Sequence, residues 1–291
     1  MSLPIAPSEL ILNADGSVFH LHLLPEQIAD NIIVVGDQGR VETVSKHFDA
    51  IECKVSNREF TTHTGTFKGK RISVLSTGIG TDNIDIVLNE LDALVNIDLK
   101  TRTIKTQKKS LNIVRIGTSG ALQGDIPVDS FVASSHGMGL DGLMNYYAGL
   151  DLCDEPKIAN AFMKHAGWLK GLPYPYVVEA SAKLLKQIAF DQIQGITATA
   201  PGFYGPQGRQ LRLAPALPDL NEKLGSFTYE NMRVTNFEME TSALYGLGKL
   251  LGHDCCTICA IIANRVAKEY SKDYKIPIEK LILIVLERLA V

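Results

Sequence analysis

Short apolar runs alternate along this chain with longer stretches in which apolar positions recur every three or four residues. Residues 32–35 read as a buried strand running into Gly36-Asp37-Gln38-Gly39-Arg40, and a helical pattern follows over residues 41–48. Residues 71–75 form a second strand that enters Thr77-Gly78-Ile79-Gly80. Ile84, Val87, Leu88, Leu91 and Leu94 then repeat at the spacing that keeps residues on one helix face. Further strands are predicted over 112–116, 130–134 and 195–200, with a helix over 176–189. A strand ends at Phe237, a helix carries Ala243, Leu244, Leu247 and Leu251, a buried strand covers 257–263, and a last helix opens at Pro277. Strands and helices in alternation imply an α/β protein. The expectation is a single-domain three-layer α/β sandwich over residues 1–291, with a central mixed sheet and functional loops at the carboxyl ends of its strands.

Composition narrows the function classes. The formal net charge of −3 lacks the basic excess of a nucleic-acid binder or a polybasic membrane binder. No apolar run approaches the roughly 20 residues that span a bilayer. The N-terminus lacks the basic-then-apolar order of a signal peptide, so a cytoplasmic location is expected. Residues 96–110 interrupt the alternation with Lys100, Arg102, Lys105, Lys108 and Lys109, and read as a solvated surface excursion; a phosphate-steering or subunit-contact role is the lesser alternative. Five cysteines, an odd number, indicate reduced and mostly buried thiols. Cys256-Thr-Ile-Cys259 near His253 raises zinc or redox chemistry. On a strand, however, positions three apart face opposite ways, and no second ligand pair exists, so a core reading is favoured and no metal is expected.

Several familiar signatures fail in context. Gly65 to Lys70 is one residue short of a phosphate-binding P-loop and is followed by Arg71 where Ser or Thr is required. Gly137-Met-Gly139-Leu-Asp141-Gly142 matches a dinucleotide fingerprint literally, yet no small-residue helix or suitably placed acidic residue follows.

Two segments do carry chemistry. Asn112 to Gly120 is an apolar strand bearing one arginine, Arg115, that runs into Gly117-Thr118-Ser119-Gly120. Glycines let amide N–H groups converge, hydroxyls add donors, and a guanidinium supplies a permanent fork for phosphate. In Glu238-Met239-Glu240, at a strand-to-helix junction, the carboxylates cannot bind phosphate but can accept from hydroxyls. The pair suggests a ligand of phosphate plus sugar. Met239 alone would more often be core, and Glu238 is favoured for a structural part at the helix N-terminus.

In order along the chain, Val18 to Leu21, Gly36-Asp37 with Arg40, Arg58-Glu59-Phe60, Ser76 to Gly80, Arg115 to Gly120, Phe203 to Arg209, Glu238 to Glu240 and Asn264-Arg265 resemble the uridine phosphorylases of the type I nucleoside phosphorylase family. The match runs from about Val18 to Arg265. The resemblance implies phosphate-dependent, reversible cleavage of uridine to uracil and ribose 1-phosphate. It implies phosphate binding by Gly36, Arg40, Arg115 and Thr118, with Arg58 offered by a neighbouring subunit. Ribose would be held by Glu240 and Met239, with His20 of the neighbour at the 5′ hydroxyl. The base site would comprise Ser119, Gly120, Phe203, Gln207 and Arg209, with Arg265 at longer range. Arg115, Arg209 and Gln207 would carry the catalysis. No cofactor is implied, since phosphate is a co-substrate. The implied partners are uridine, phosphate and further copies of the chain, as a dimer or a hexamer built from dimers.

Departures bear on these expectations. The first turn has Gln38 where the family has proline. The turn at Gly78 to Asn83 lacks the serine with which some relatives hold potassium at a subunit interface beside the residue matching Glu59, so a cation there is doubtful. The insertion at 96–110 leaves dimer against hexamer open. Purine nucleoside phosphorylases are the runner-up. They place an aspartate before the base loop to protonate the leaving base, and the matching residue here is Pro201, which has no proton to give. Nucleosidases of the same fold lack the phosphate arginines, and a non-catalytic nucleoside sensor would gain little from three of them.

Overall fold

The computed structural model describes residues 3–291. In chain order the elements are β1 (Asn31–Val35), α1 (Gln38–Ser45), β2 (Ala50–Asn57), β3 (Phe60–Phe67), β4 (Lys70–Ser76), α2 (Thr81–Asn96), β5 (Ile97–Asp98), β6 (Thr103–Ile104), β7 (Asn112–Ala121), β8 (Phe131–Gly139) and α3 (Pro156–Ala166). They continue with β9 (Tyr176–Glu179), α4 (Ala182–Ile188), β10 (Ile193–Thr199), α5 (Leu220–Ser226), β11 (Thr228–Tyr229), β12 (Met232–Glu238), α6 (Thr241–Leu251), β13 (Asp254–Asn264), β14 (Glu269–Tyr270) and α7 (Lys275–Ala290).

Alternate residues of β1 face opposite layers, which is why the strand reads as an unbroken apolar run. Ile32 and Val34 pack with Leu88 and Leu91 of α2 and Leu244 and Leu247 of α6, whereas Ile33 and Val35 pack with Val41 of α1, Leu184 of α4 and Leu281 and Val285 of α7. The result is the expected three-layer α/β sandwich. Beside it, α3 and α5 cover Ile196 of β10 and Val234 of β12.

The sheet is mixed, and its two parallel groups run against each other. In one group β4, β1, β7 and β13 are parallel neighbours; in the other β8, β10 and β12 are. β13 joins β8 antiparallel, and β12 returns to pair antiparallel with β7 at Phe237 and Gly120. Five strands, β7, β13, β8, β10 and β12, therefore close on themselves. The closure brings the carboxyl end of β12 against the carboxyl end of β7, so the glycine and hydroxyl turn and the paired glutamates share one place.

One predicted element is corrected. Residues 176–189 are not one helix: Tyr176–Glu179 is strand β9, paired with β8, and only Ala182–Ile188 is helical, capped by the Ser181 hydroxyl. The polar excursion at 96–110 is a small hairpin of β5 and β6, and most of its basic side chains are exposed, as expected. Gly65 to Lys70 lies in the β3–β4 hairpin and so is no phosphate loop. Gly139 of the failed fingerprint is needed for packing, because a Cβ there would lie 2.3 Å from the Tyr176 ring. Cys255 and Cys256 fall in different core layers, consistent with the core reading.

The fully buried Tyr245 of α6 ties helix to sheet. Its hydroxyl donates to the Ser134 carbonyl on β8 and accepts from the Thr257 amide on β13, each at 2.8 Å. Tyr245→Phe leaves both backbone groups without a partner and is expected to destabilise by about 1–3 kcal/mol, measured as the denaturant midpoint at unchanged slope. A midpoint equal to that of the unaltered protein would show that this hydroxyl does not secure α6.

Candidate active site

A cleft of about 810 Å³ opens at the carboxyl ends of β1, β4, β7, β10 and β12. Its wall combines three kinds of surface. One part is cationic, with Gly36, Arg40, Arg115 and Thr118; a second is carboxylate and thioether, with Glu238, Met239 and Glu240; a third is aromatic and amide, with Ser119, Gly120, Phe203, Gln207, Arg209 and Phe237.

Arg115 lies mid-strand in β7 and only 4% of it is exposed. A buried guanidinium must be paired, since an isolated ion in the interior is several kcal/mol too costly. Its Nη1 lies 3.2 Å from Glu238, its Nη2 donates to Glu240, and Nη1 also points at the Cys259 sulfur at 3.5 Å. Burial alone would lower the Arg115 pKa; the Glu240 and Glu238 carboxylates outweigh it and hold the group above the usual arginine range. The guanidinium lies across Gly117, where a Cβ would come within 2.0 Å of Nη1, so this glycine is the space the arginine occupies. Arg115 Nε remains buried without a partner among the described residues.

The two glutamates are held differently. Glu238 accepts from the amides of Glu240 and Thr241 and from the Thr199 hydroxyl, so it starts α6 as a helix N-terminal carboxylate should. Glu240 accepts from the Gly80 amide at 2.8 Å and from Arg115. Gly80 delivers that amide with φ at +101°, a conformation that side chains strain. Burial pushes the Glu240 carboxyl upward; Arg115 opposes the shift without reversing it.

Arg40 enters from α1. Its Nη1 reaches the Ile116 carbonyl at 3.3 Å, and no carboxylate pairs with it among the described residues. Burial, and next the Arg115 charge, lower its pKa, partly offset by Asp37. The group stays charged at neutral pH, as arginines do. Two guanidiniums that repel one another in a cleft also lined by Gly36 and Thr118 favour an anion there.

On the far side, Arg209 donates to the Phe203 carbonyl and to Gln207 Oε1, both at 2.6 Å, and its guanidinium carbon sits 3.8 Å from the Phe203 ring centroid. A guanidinium cannot accept, so the Gln207 oxygen must face Arg209 and the amide NH₂ is free to turn to a ligand. Burial, then the nearby Arg265, lower the Arg209 pKa. Arg265 lies over the Phe237 ring at 5.8 Å but does not line the cleft. Ser119 accepts from the Asn236 amide, which leaves its proton to give.

His20 and Arg58 are not brought to this cleft. Arg58 stacks over Phe19 at 5.4 Å and His20 is held by Glu90, on a surface that carries both. Sequence reasoning missed other wall residues, Asp37, Gln38, Ile79, Ile262, Ala263 and Tyr270, along with the Gly80 amide and the Cys259 sulfur. The signal for Cys259 was only its register, opposite Gly117 on β7. Pro201 lines a separate apolar cavity of about 270 Å³ with Leu140, Trp168 and Leu220. Among the described residues no group of three or more His, Cys, Asp or Glu is placed to hold a metal, and burial lifts the Cys259 thiol to about 11.

Fold and cleft together define an α/β protein of the nucleoside phosphorylase type, with an anion pocket set against paired carboxylates and an aromatic, amide-lined end. Residues 30–286 match the family model described as the phosphorylase superfamily, and the chain belongs to that family. It is 30% identical over 264 residues to a uridine phosphorylase of Thermococcus kodakarensis, covering 89% of this chain and 81% of the relative. A DeoD-type purine nucleoside phosphorylase of Clostridium perfringens is also 30% identical, over 255 residues, covering 86% of this chain and 88% of the relative. The fold matches that of a Trypanosoma brucei nucleoside phosphorylase, whose crystal structure is described as showing uridine phosphorylase activity, with a TM-score of 0.86 and 32% identity over 97% of this chain and 99% of that one.

The anion pocket is testable without any assumption about the reaction. Inorganic phosphate, titrated calorimetrically, is expected to bind the unaltered protein and to bind Arg40→Gln on the order of tenfold more weakly, the effect of one charge-assisted contact. Equal affinity would place the phosphate elsewhere.

Proposed function

We propose that this protein catalyses the reversible, phosphate-dependent cleavage of uridine to uracil and ribose 1-phosphate. The observation that carries the reading is Arg115, whose buried guanidinium lies between a cationic pocket and the two glutamates, so that one side chain serves both a phosphate and a sugar. Breaking an N-glycosidic bond builds positive charge on the ribose and negative charge on the base. Arg40, Arg115, Thr118 and the backbone at Gly36 hold the phosphate dianion beneath the sugar, where it stabilises the oxocarbenium it will attack. Glu240 accepts from the ribose hydroxyls and Met239 packs on the sugar. Gln207 and Arg209 stabilise the departing uracil, Phe203 lies against its ring, Ser119 and Gly120 line its edge, and Arg265 acts at longer range. No enzyme nucleophile and no cofactor is used.

Uridine is preferred to a purine nucleoside on the site and not on overall identity, since relatives of both kinds reach 30%. The base end offers an amide and a guanidinium already paired to each other, and no carboxyl stands at Pro201. The further reading is a cytoplasmic homo-oligomer, a dimer or a hexamer of dimers, in which Arg58 and His20 complete the neighbour's site. Support for it lies in their position on one surface outside the chain's own cleft. No helix is long and apolar enough to cross a membrane among the described residues.

Uracil release from uridine is expected only with phosphate or arsenate, and inosine should react on the order of 10⁴-fold less well, because a site built to be hydrogen-bonded rejects a ligand that leaves its groups unpaired. Release at equal rate without either anion would sink the phosphorylase reading, and comparable turnover of inosine the base assignment.

Shared sites make a second forecast. Arg58→Ala and Arg115→Ala are each expected to be inactive, whereas a co-refolded equal mixture recovers about a quarter of full activity, because half the dimers are mixed and each holds one intact site of two. Subunit exchange without recovery would mean that Arg58 serves its own chain.

A further inference from the structure

Glu90, in the middle of α2, receives four hydrogen bonds from one short stretch near the N-terminus. The His20 amide lies 2.9 Å and 3.1 Å from its two oxygens, the Leu21 amide donates at 2.7 Å, and the ring Nδ1 of His20 meets Oε1 at 2.7 Å. The His20 carbonyl is fixed in turn by the Asn57 amide at 2.8 Å, and the Phe19 ring stands edge-on to the imidazole at 4.9 Å. The imidazole is nevertheless 28% exposed, whereas the Glu90 carboxylate beneath it is 15% exposed. Ordering a partly exposed ring on three sides opposes its conformational entropy, and the ring makes no contact with its own cleft.

The chemistry of the pair sets the direction of the ring. An ionised carboxylate only accepts, so Nδ1 carries the proton, and in the neutral imidazole Nε2 then presents a lone pair. Among the described residues nothing occupies Nε2. A lone pair held in place on a surface suits a hydroxyl donor brought from outside the chain. Helix α2 is preceded by Gly80, whose amide holds Glu240, so one rigid element supports both a carboxylate of its own cleft and His20.

We infer that Glu90 is a positioning residue for the proposed reaction, fixing the tautomer of His20 so that Nε2 accepts from the ribose 5′ hydroxyl in a neighbouring subunit's cleft. The inference rests on the phosphorolysis reading and on the shared site. Glu90 does not touch the substrate; it acts through the imidazole.

The test is the ratio of kcat/KM for uridine to that for 5′-deoxyuridine. Glu90→Ala removes the acceptor of the ring Nδ1–H, so the imidazole is no longer held in place with Nε2 turned outward. The ratio is expected to fall about tenfold, the effect of one lost hydrogen bond. Both substrates falling in parallel with the ratio unchanged is what a purely structural glutamate would give, and overturns the inference. If Glu90→Ala does not fold, His20→Asn decides. Its Nδ2 can donate to Glu90 in place of the imidazole Nδ1 while nothing stands where Nε2 was, so the ratio should fall similarly; a ratio equal to that of the unaltered protein overturns the inference. A wild-type protein that releases no uracil from uridine and phosphate removes the phosphorolysis reading itself, and is distinct from an active wild type whose ratio ignores both substitutions.

Discussion

The guanidinium of Arg115 inside the β7 strand is the constraint on which the rest of the site depends. Taken from water without partners it would be among the least stable groups in the protein, and almost every unusual feature nearby answers that fact. Gly117 is the space it lies in, Glu238 and Glu240 are its counter-charges, and the Cys259 sulfur covers one edge. Those counter-charges arrive on β12, which runs opposite to β7. Only because the sheet curls until β12 rejoins β7 do the carboxylates reach the arginine at all. The closed set of five strands is thus an electrostatic requirement as well as a packing solution.

Charge arithmetic extends this to the chemistry. At the buried end of the cleft Arg40 and Arg115 offset Glu238 and Glu240, while Asp37, Glu59 and Arg209 also line the wall. On the proposed reading a phosphate dianion adds negative charge at that end, and the oxocarbenium that forms as the glycosidic bond breaks offsets part of it. The occupied site is then less balanced before the bond breaks than while it does. That is the sense in which a preorganised electrostatic site favours the transition state over the bound substrate.

What the chain alone makes legible is local: the Arg115 to Gly120 turn and the Glu238-Met239-Glu240 junction are contiguous and lie together in the cleft, and the Gln207–Arg209 pair, expected from the family resemblance, lines the same cleft. Sequence reasoning fails where partners are distant in the chain. A helix over residues 176–189 is what the chain alone suggests, and the pairing of Tyr176–Glu179 with β8 that overrides it is invisible locally. The Gly80 amide on Glu240 spans 160 residues and the Glu90 carboxylate on His20 spans 70, so neither leaves a trace in spacing. Strand order is equally silent, which is why a mixed sheet was legible and its closure was not.

Burial is uneven across the cleft, and the unevenness matters for how the two ends can work. Arg115 is 4% exposed, whereas Phe203, at the base end, is 50% exposed. Charge interactions weaken as water enters, so a contact at Phe203 is worth less than one beside Arg115, whereas Gln207 is as buried as Arg115. A site in that position has to act by number and geometry. Arg209 stacked on Phe203 and locked to the Gln207 oxygen supplies both, with the guanidinium fixed by two hydrogen bonds. On the proposed reading, the phosphate and ribose end holds charge by depth, and the base end reads shape and hydrogen bonds by rigidity. On the same reading, discrimination among bases can change through the 201–209 segment, where Phe203 is exposed and Gln207 buried, without disturbing the charges around Arg115.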